Sequence, residues 1–291
     1  MNWIRRAWEK IRRFYSESRI FRAATQVVAV VTVTSPFVHV ALIVYQASLE
    51  ARPKLSGSLE AGMGEYRCIT LSEGTRLCAN SGGKLHYNFT NSARTVEVDR
   101  GEVSVLAGHD GRPLDLVAGR LLVHDLSTGF VVDRQDRRIH VTVTDGRVRV
   151  VAPLDSQSRM KFQRGEAVSA WRGSSDLRKY QQVEFDEATW QLRTLPDATE
   201  LVLQQLQSWE EGRILLDGRT LDEAIYELRR YQKLPQFEYA PDIGDTPLGG
   251  EIVSDSLDAF LEALEYQFHI HPTKKNIGSD EVIVLTHMDE K

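Results

Sequence analysis

The stretch His140-Val141-Thr142-Val143-Thr144-Asp145-Gly146-Arg147-Val148-Arg149-Val150 decides the fold of most of this chain. Valines recur at every second position on both sides of an Asp-Gly turn signal. A period of two marks a strand with one buried face, whereas a helix repeats at 3.6. The same texture extends from about Arg67 to Ala152. Arg67–Leu71, Leu85–Phe89, Thr95–Val98, Glu102–Val105, Arg120–Val123 and Phe130–Val132 are short alternating segments, with Glu73-Gly74 and Asp110-Gly111 as further turns. Strands with one apolar face must stack in two layers or close on themselves to bury it. An all-β sandwich, roll or solenoid is therefore expected over residues 67–152.

Downstream the period changes. Residues 153–208 read as a connector, with a strand near Glu166–Ala170 and a more helical texture over 186–208. Over 209–291, Ile214-Leu215-Leu216 is a strand, and Thr220 with Glu223 is a capping box opening a helix. Leu221, Ala224, Ile225, Leu228 and Tyr231 form its buried face. Ser256 caps a second helix with Leu257, Phe260, Leu261 and Leu264 inward, and Phe268–Ile270 with Val282–Leu285 closes as a hairpin. Two β-α-β units of this kind make a small α+β domain.

Upstream, residues 50–66 read as a polar linker. Ala23–Leu49 contains no charged residue, and a helical membrane crossing takes about 20 apolar residues. Residues 23–49 are expected to be an uncleaved transmembrane helix. Thr32, Thr34, Ser35, Pro36, His39 and Gln46 are its only departures from apolarity within Val27–Ala47. Charge is divided by this run. Of 36 Lys+Arg and 41 Asp+Glu residues, seven and two lie in residues 1–22, leaving 29 against 39 in the remainder. Basic residues remain cytoplasmic, so the head is expected on the cytoplasmic side and the body outside. In residues 1–22, Trp3, Ile4, Trp8, Ile11, Phe14 and Tyr15 share one helical face opposite basic residues. That face suits either membrane lipid or a cytoplasmic partner.

The chemistry-bearing residues are sparse. Cys68 and Cys78 can close a small loop in an oxidising compartment, or remain as two half-buried thiols. With no histidine cluster beside them, zinc is not indicated. His269 and His271 fall on one strand face without a third ligand, and Asp133 with Asp136 reads as a solvated turn. Phosphate loops, nucleotide fingerprints and hydrolase elbows are missing. A net charge of −5 argues against nucleic acid. No enzyme, cofactor, metal or small-molecule substrate is indicated.

Leu71-Ser72-Glu73-Gly74-Thr75-Arg76-Leu77, Arg94-Thr95-Val96-Glu97-Val98-Asp99-Arg100-Gly101-Glu102-Val103, Arg112-Pro113-Leu114-Asp115-Leu116 and Phe130-Val131-Val132 occur in that order. Together they resemble the FecR-type transmembrane regulators of Gram-negative bacteria. Trp209–Ile214, Leu221–Ala224 and Leu228–Tyr231 resemble the companion secretin/TonB short N-terminal domain. The resemblance implies an inner-membrane regulator whose periplasmic body meets the signalling domain of a TonB-dependent outer-membrane receptor. Iron-carrier loading would be relayed to an extracytoplasmic-function sigma factor. The alternative is a membrane-anchored periplasmic scaffold without sigma-factor contact. Two departures stand out: only about 22 residues precede the expected span, and the bond matching the family's self-cleaving Gly-Thr is Ser127-Thr128. Without glycine's backbone freedom there, efficient self-cleavage is not expected.

Overall fold

The computed structural model describes residues 54–126, 128–152, 174–277 and 280–288, with positions 38, 40, 41, 157 and 160. The chain divides into two compact units, Met1–Arg52 and Pro53–Lys291. Of the first, Val38, Val40 and Ala41 are described; they are helical and exposed. Among the described residues no helix is long and apolar enough to cross a membrane. Trp3, Ile4, Trp8, Ile11, Phe14 and Tyr15, and nearly all of 23–49, lie outside the described residues, as does the strand expected near 166–170.

The second unit is mostly β. Strands β1 (Leu55–Glu60), β2 (Arg67–Thr70), β3 (Arg76–Ala79), β4 (Lys84–Phe89) and β5 (Arg94–Leu106) come first. They are followed by β6 (Leu114–Ala118), β7 (Leu121–Asp125), β8 (Gly129–Gln135), β9 (Arg138–Asp145) and β10 (Arg147–Val151). Then come β11 (Ser174–Arg178), β12 (Gln182–Asp186) and β13 (Gln191–Leu195). These form one 13-stranded sheet that curls on β5. The first half of β5 pairs with β4 and β6, and its second half pairs with β3 and β8. Both halves of the sheet supply a single apolar core, from Leu85, Val98, Leu116 and Val148 to Val103, Phe130, Val141 and Phe185.

The curl has a local cause. Val98 and Val103 both face the core, yet they are five positions apart with four residues between, one too many for simple alternation. Gly101 absorbs it at φ 76°, where a Cβ would also lie 2.7 Å from Gly83 Cα. The same geometry turns Glu102 away from the apolar core, toward the C-terminal lobe.

Two expectations are corrected here. Residues 50–66 are not wholly a linker, because β1 pairs with β4. The connector 153–208 contains β11, which pairs with β10, and β12, which pairs with β9 and with β13, so the β part extends to Leu195. The edge strands bury little: Leu59 is the one buried residue of β1 and Leu177 of β11, and β13 buries none, so their alternation is too faint to read, whereas β12 does alternate, with Val183 and Phe185 inside. Asp145-Gly146 turns the chain without making a hairpin. β9 pairs with β8 and β12, whereas β10 pairs with β7 and β11.

The C-terminal lobe follows helix α1 (Glu200–Ser208) and the 3₁₀ turn Trp209–Glu211. It contains β14 (Arg213–Leu215), α2 (Leu221–Leu228), β15 (Gln236–Glu238), α3 (Pro241–Gly244), β16 (Glu251–Val253), α4 (Leu257–Phe268), β17 (Ile270–Ile277) and β18 (Asp280–His287). β14 pairs with β16, and β15-β18-β17 forms a second small sheet. Thr220 and Glu223 form the reciprocal cap of α2, and Ser256 caps α4. The apolar faces of both helices meet in a second core with Ile214, Ile270 and Ile283.

A candidate functional site at the joint of sheet and lobe

The two cores meet across a polar joint. Glu102 is only 3% exposed and lies at its centre. Its carboxylate accepts from Trp209 Nε1 at 3.0 Å, from Asn80 Nδ2 at 3.1 Å, and from Arg230 Nη2. Asn80 Nδ2 also donates to Tyr231 Oη at 2.9 Å, and Ser81 Oγ donates to the Arg230 carbonyl. Three short segments of the sheet (Asn80-Ser81, Glu102 and Gly64) thus grip the turn after α2. Gly64 is pressed so close that a Cβ there would lie 2.0 Å from the Tyr231 carbonyl oxygen. A buried charge set of this kind is costly to leave half made, because the surviving charge loses both water and partner.

The electrostatics follow from the crowding. Burial alone would lower the Arg230 guanidinium, but Glu102 and Glu227 more than reverse this and hold it above its ordinary value. Burial and then Glu227 raise the Tyr231 phenol. Directly across the ladder from Glu102 is Asp133, followed by His140 and Glu184 in one cross-strand row. Burial, and then the Glu102 charge, push the Asp133 carboxyl up to about 6. Its Oδ2 accepts from Gln135 Nε2 at 2.8 Å, and its Oδ1 is buried without a partner. Burial lowers the His140 imidazole. Asp133 is therefore not part of a solvated turn; only Asp136, at φ 49°, occupies the turn itself.

Cys68 and Cys78 are cross-strand neighbours in β2 and β3, and the structure joins them in a disulfide. Although it lies on β3, Cys78 packs into the core of the C-terminal lobe with Trp209. Its Sγ is 3.6 Å from Glu210 Oε2, which also pairs with Arg76 at 3.1 Å. Thr128 is buried, its hydroxyl donates to Asp125, and its carbonyl accepts from Ala107 N at 2.9 Å. Ser127 lies outside the described residues. His269 and His271 do not share a strand face: His269 caps α4 at φ 54°, and His271 pairs with Glu265 at 2.9 Å.

Sequence reasoning missed Glu102, Asn80, Asp133 and Arg230. Each looks like an ordinary solvated polar residue in its own segment. The one available signal is that Glu102 directly follows a glycine that breaks the strand's alternation.

The family motif residues also acquire a structural role. Arg94 is buried and donates to the Arg112 carbonyl at 2.9 and 3.2 Å, to the Gly108 carbonyl at 2.9 Å and to Thr75 Oγ1 at 3.2 Å. It pins the loop between β5 and β6. Arg112 in turn forks onto Asp110 and donates to the Thr90 carbonyl at 2.6 Å.

Comparison with curated proteins finds no match. Among solved structures, two crystal structures of a candidate anti-sigma factor from Parabacteroides distasonis ATCC 8503, at 2.50 and 1.65 Å resolution, share the fold. Each is 22% identical, with a TM-score of 0.51, and the match covers 80% of this chain and 100% of that one. The family model described as FecR protein matches residues 58–149, from within β1 to within β10. Those residues hold the Arg94 and Arg112 clamps and the sheet side of the joint, Asn80 and Glu102. Residues 58–149, about a third of the chain, therefore match the FecR protein family model.

Proposed function

We propose that the chain is a non-enzymatic, single-pass inner-membrane regulator in sigma-factor control. It relays the state of a TonB-dependent outer-membrane receptor from periplasm to cytoplasm. The observation that carries this reading is the FecR match over residues 58–149. The shared fold with a candidate anti-sigma factor adds support over 80% of the chain. The membrane assignment rests on the uncharged run Ala23–Leu49 behind a basic head. Exposure of the apolar Val38, Val40 and Ala41 in helical conformation agrees with it.

In this reading residues 1–22 lie on the inner membrane lipid and offer their apolar face to an extracytoplasmic-function sigma factor. The sheet and lobe face the periplasm and receive the receptor's signalling domain. A relay needs two binding equilibria coupled through one body, and the joint provides such a body. Iron-carrier uptake is the receptor class that the family resemblance favours.

The test is photocrosslinking of the full-length chain in intact cells, with probes placed in residues 1–22 and in the lobe. Capture of a sigma factor by the first and of an outer-membrane receptor by the second is expected. Capture of envelope scaffolding proteins alone, with no sigma factor from either position, would overturn the reading. A C-terminal reporter active only in the cytosol would overturn the topology.

A further inference from the structure

The disulfide, Glu210 and Arg76 form a cluster that the relay leaves unused. Cys68 Sγ, Cys78 Sγ and a Glu210 carboxylate oxygen all lie within 4.8 Å of one another. Cys78 is 1% exposed, and the Glu210 side chain 11%. Glu210 is 132 residues from Cys78, so its arrival beside the two sulfurs is a product of the joint alone. We propose that reduction of Cys68–Cys78 creates a site for one thiophilic divalent cation, ligated by both thiolates and the Glu210 carboxylate. This proposal is independent of the sigma-factor reading.

The chemistry balances. A dithiol reductant passes two electrons to the Cys68–Cys78 bond; two thiols form on the chain, and the reductant is left as a disulfide. The cation then displaces both thiol protons to solvent. Two thiolates and a carboxylate around a divalent ion leave one negative charge. Arg76 compensates for it, with its guanidinium 3.1 Å from Glu210 and 3.6 Å from Cys68 Sγ. A neighbouring guanidinium also favours thiolate over thiol.

The geometry suits zinc. Tetrahedral ligation with Zn–S bonds of about 2.3 Å places two sulfurs about 3.8 Å apart. Paired strand positions with Cα atoms 4.1 Å apart reach that separation by side-chain rotation alone. Sulfur ligands and a single carboxylate select Zn²⁺ over Mg²⁺ or Ca²⁺. Three protein ligands leave the fourth position to water.

The test uses the full-length chain in detergent, with Co²⁺ as the optical probe. One sample is kept oxidised; the other is reduced with dithiothreitol and freed of it under anaerobic conditions. The reduced chain should bind one Co²⁺ with thiolate-to-cobalt charge-transfer absorption, displaced by Zn²⁺, and the oxidised chain should show none. Glu210→Gln keeps the side-chain shape and the disulfide, and should weaken binding at least about tenfold, because even outer-shell losses reach that size. Absence of charge-transfer absorption in the reduced chain, folded or not, would overturn the site. So would a Glu210→Gln variant that binds Co²⁺ as tightly as the unaltered chain.

Discussion

Glu102 accepts the indole N–H of Trp209 at 3.0 Å, across 107 residues of chain. One carboxylate on the outer side of a strand thereby joins a β sheet to an α+β lobe. The consequence is mechanical. Sheet and lobe belong to one compact unit.

Glu102→Ala removes the acceptor of the Trp209 indole and one of the two carboxylates on Arg230, which keeps Glu227 at 3.1 Å. It should cost more in chemical denaturation than the about 1–3 kcal/mol of a single stranded donor. Trp209→Phe keeps most of the apolar volume and removes one donor, so it should cost only about 1–3 kcal/mol. Near-neutral results for both would show that the joint does not hold the lobe.

Stability should depend on pH through Asp133. Its carboxyl titrates near 6 in the fold, against 3.8 for the free group. A raised pKa means that the folded chain holds the proton more tightly. The contribution is therefore favourable at low pH and is lost as pH rises from about 4 to 6. Two units correspond to about 3 kcal/mol, as an order of magnitude. Asp133→Asn should remove that portion of the slope and raise the denaturation midpoint at pH 7, where ionised Asp133 faces Glu102 and Glu227 with Arg230 already shared between them. An unchanged profile would place the titration elsewhere.

Arg94→Lys keeps the charge and discards the fork. Lysine cannot address the Arg112 and Gly108 carbonyls and Thr75 together. A loss of about 2 kcal/mol or more is expected in thermal or denaturant unfolding. If lysine is tolerated without cost, charge rather than geometry holds the loop between β5 and β6.

The chain should remain intact at Ser127-Thr128. The Thr128 hydroxyl is engaged by Asp125, and serine rather than glycine precedes it. Purified protein should run as a single full-length band, unchanged in Thr128→Ala. Two stable fragments meeting at that bond would refute this.

Much of the local structure was legible because its causes lie within a few residues. Thr220 and Glu223 are three apart, and each satisfies the other's backbone N–H. The valines of β9 and β10 advertise a buried face by alternation alone. The edge strands were illegible because a strand with one buried residue has no period to detect. Asp133 was misread for a related reason: nothing near it in sequence shows that Glu102 will lie opposite.

By itself the sequence determined that residues 67–152 are β-structured, that two capped helices follow, and that an uncharged run stands behind a basic head. These are properties of periodicity, capping and charge, each written within a short window. Only the tertiary structure decided which strands pair, that β9 and β10 part company at Gly146, and that Glu102, Arg230, Trp209, Cys78 and Glu210 gather at one joint. Backbone hydrogen bonds are alike in every strand, so alternation names a buried face without naming the neighbour. Closure of the whole sheet around one core makes that choice.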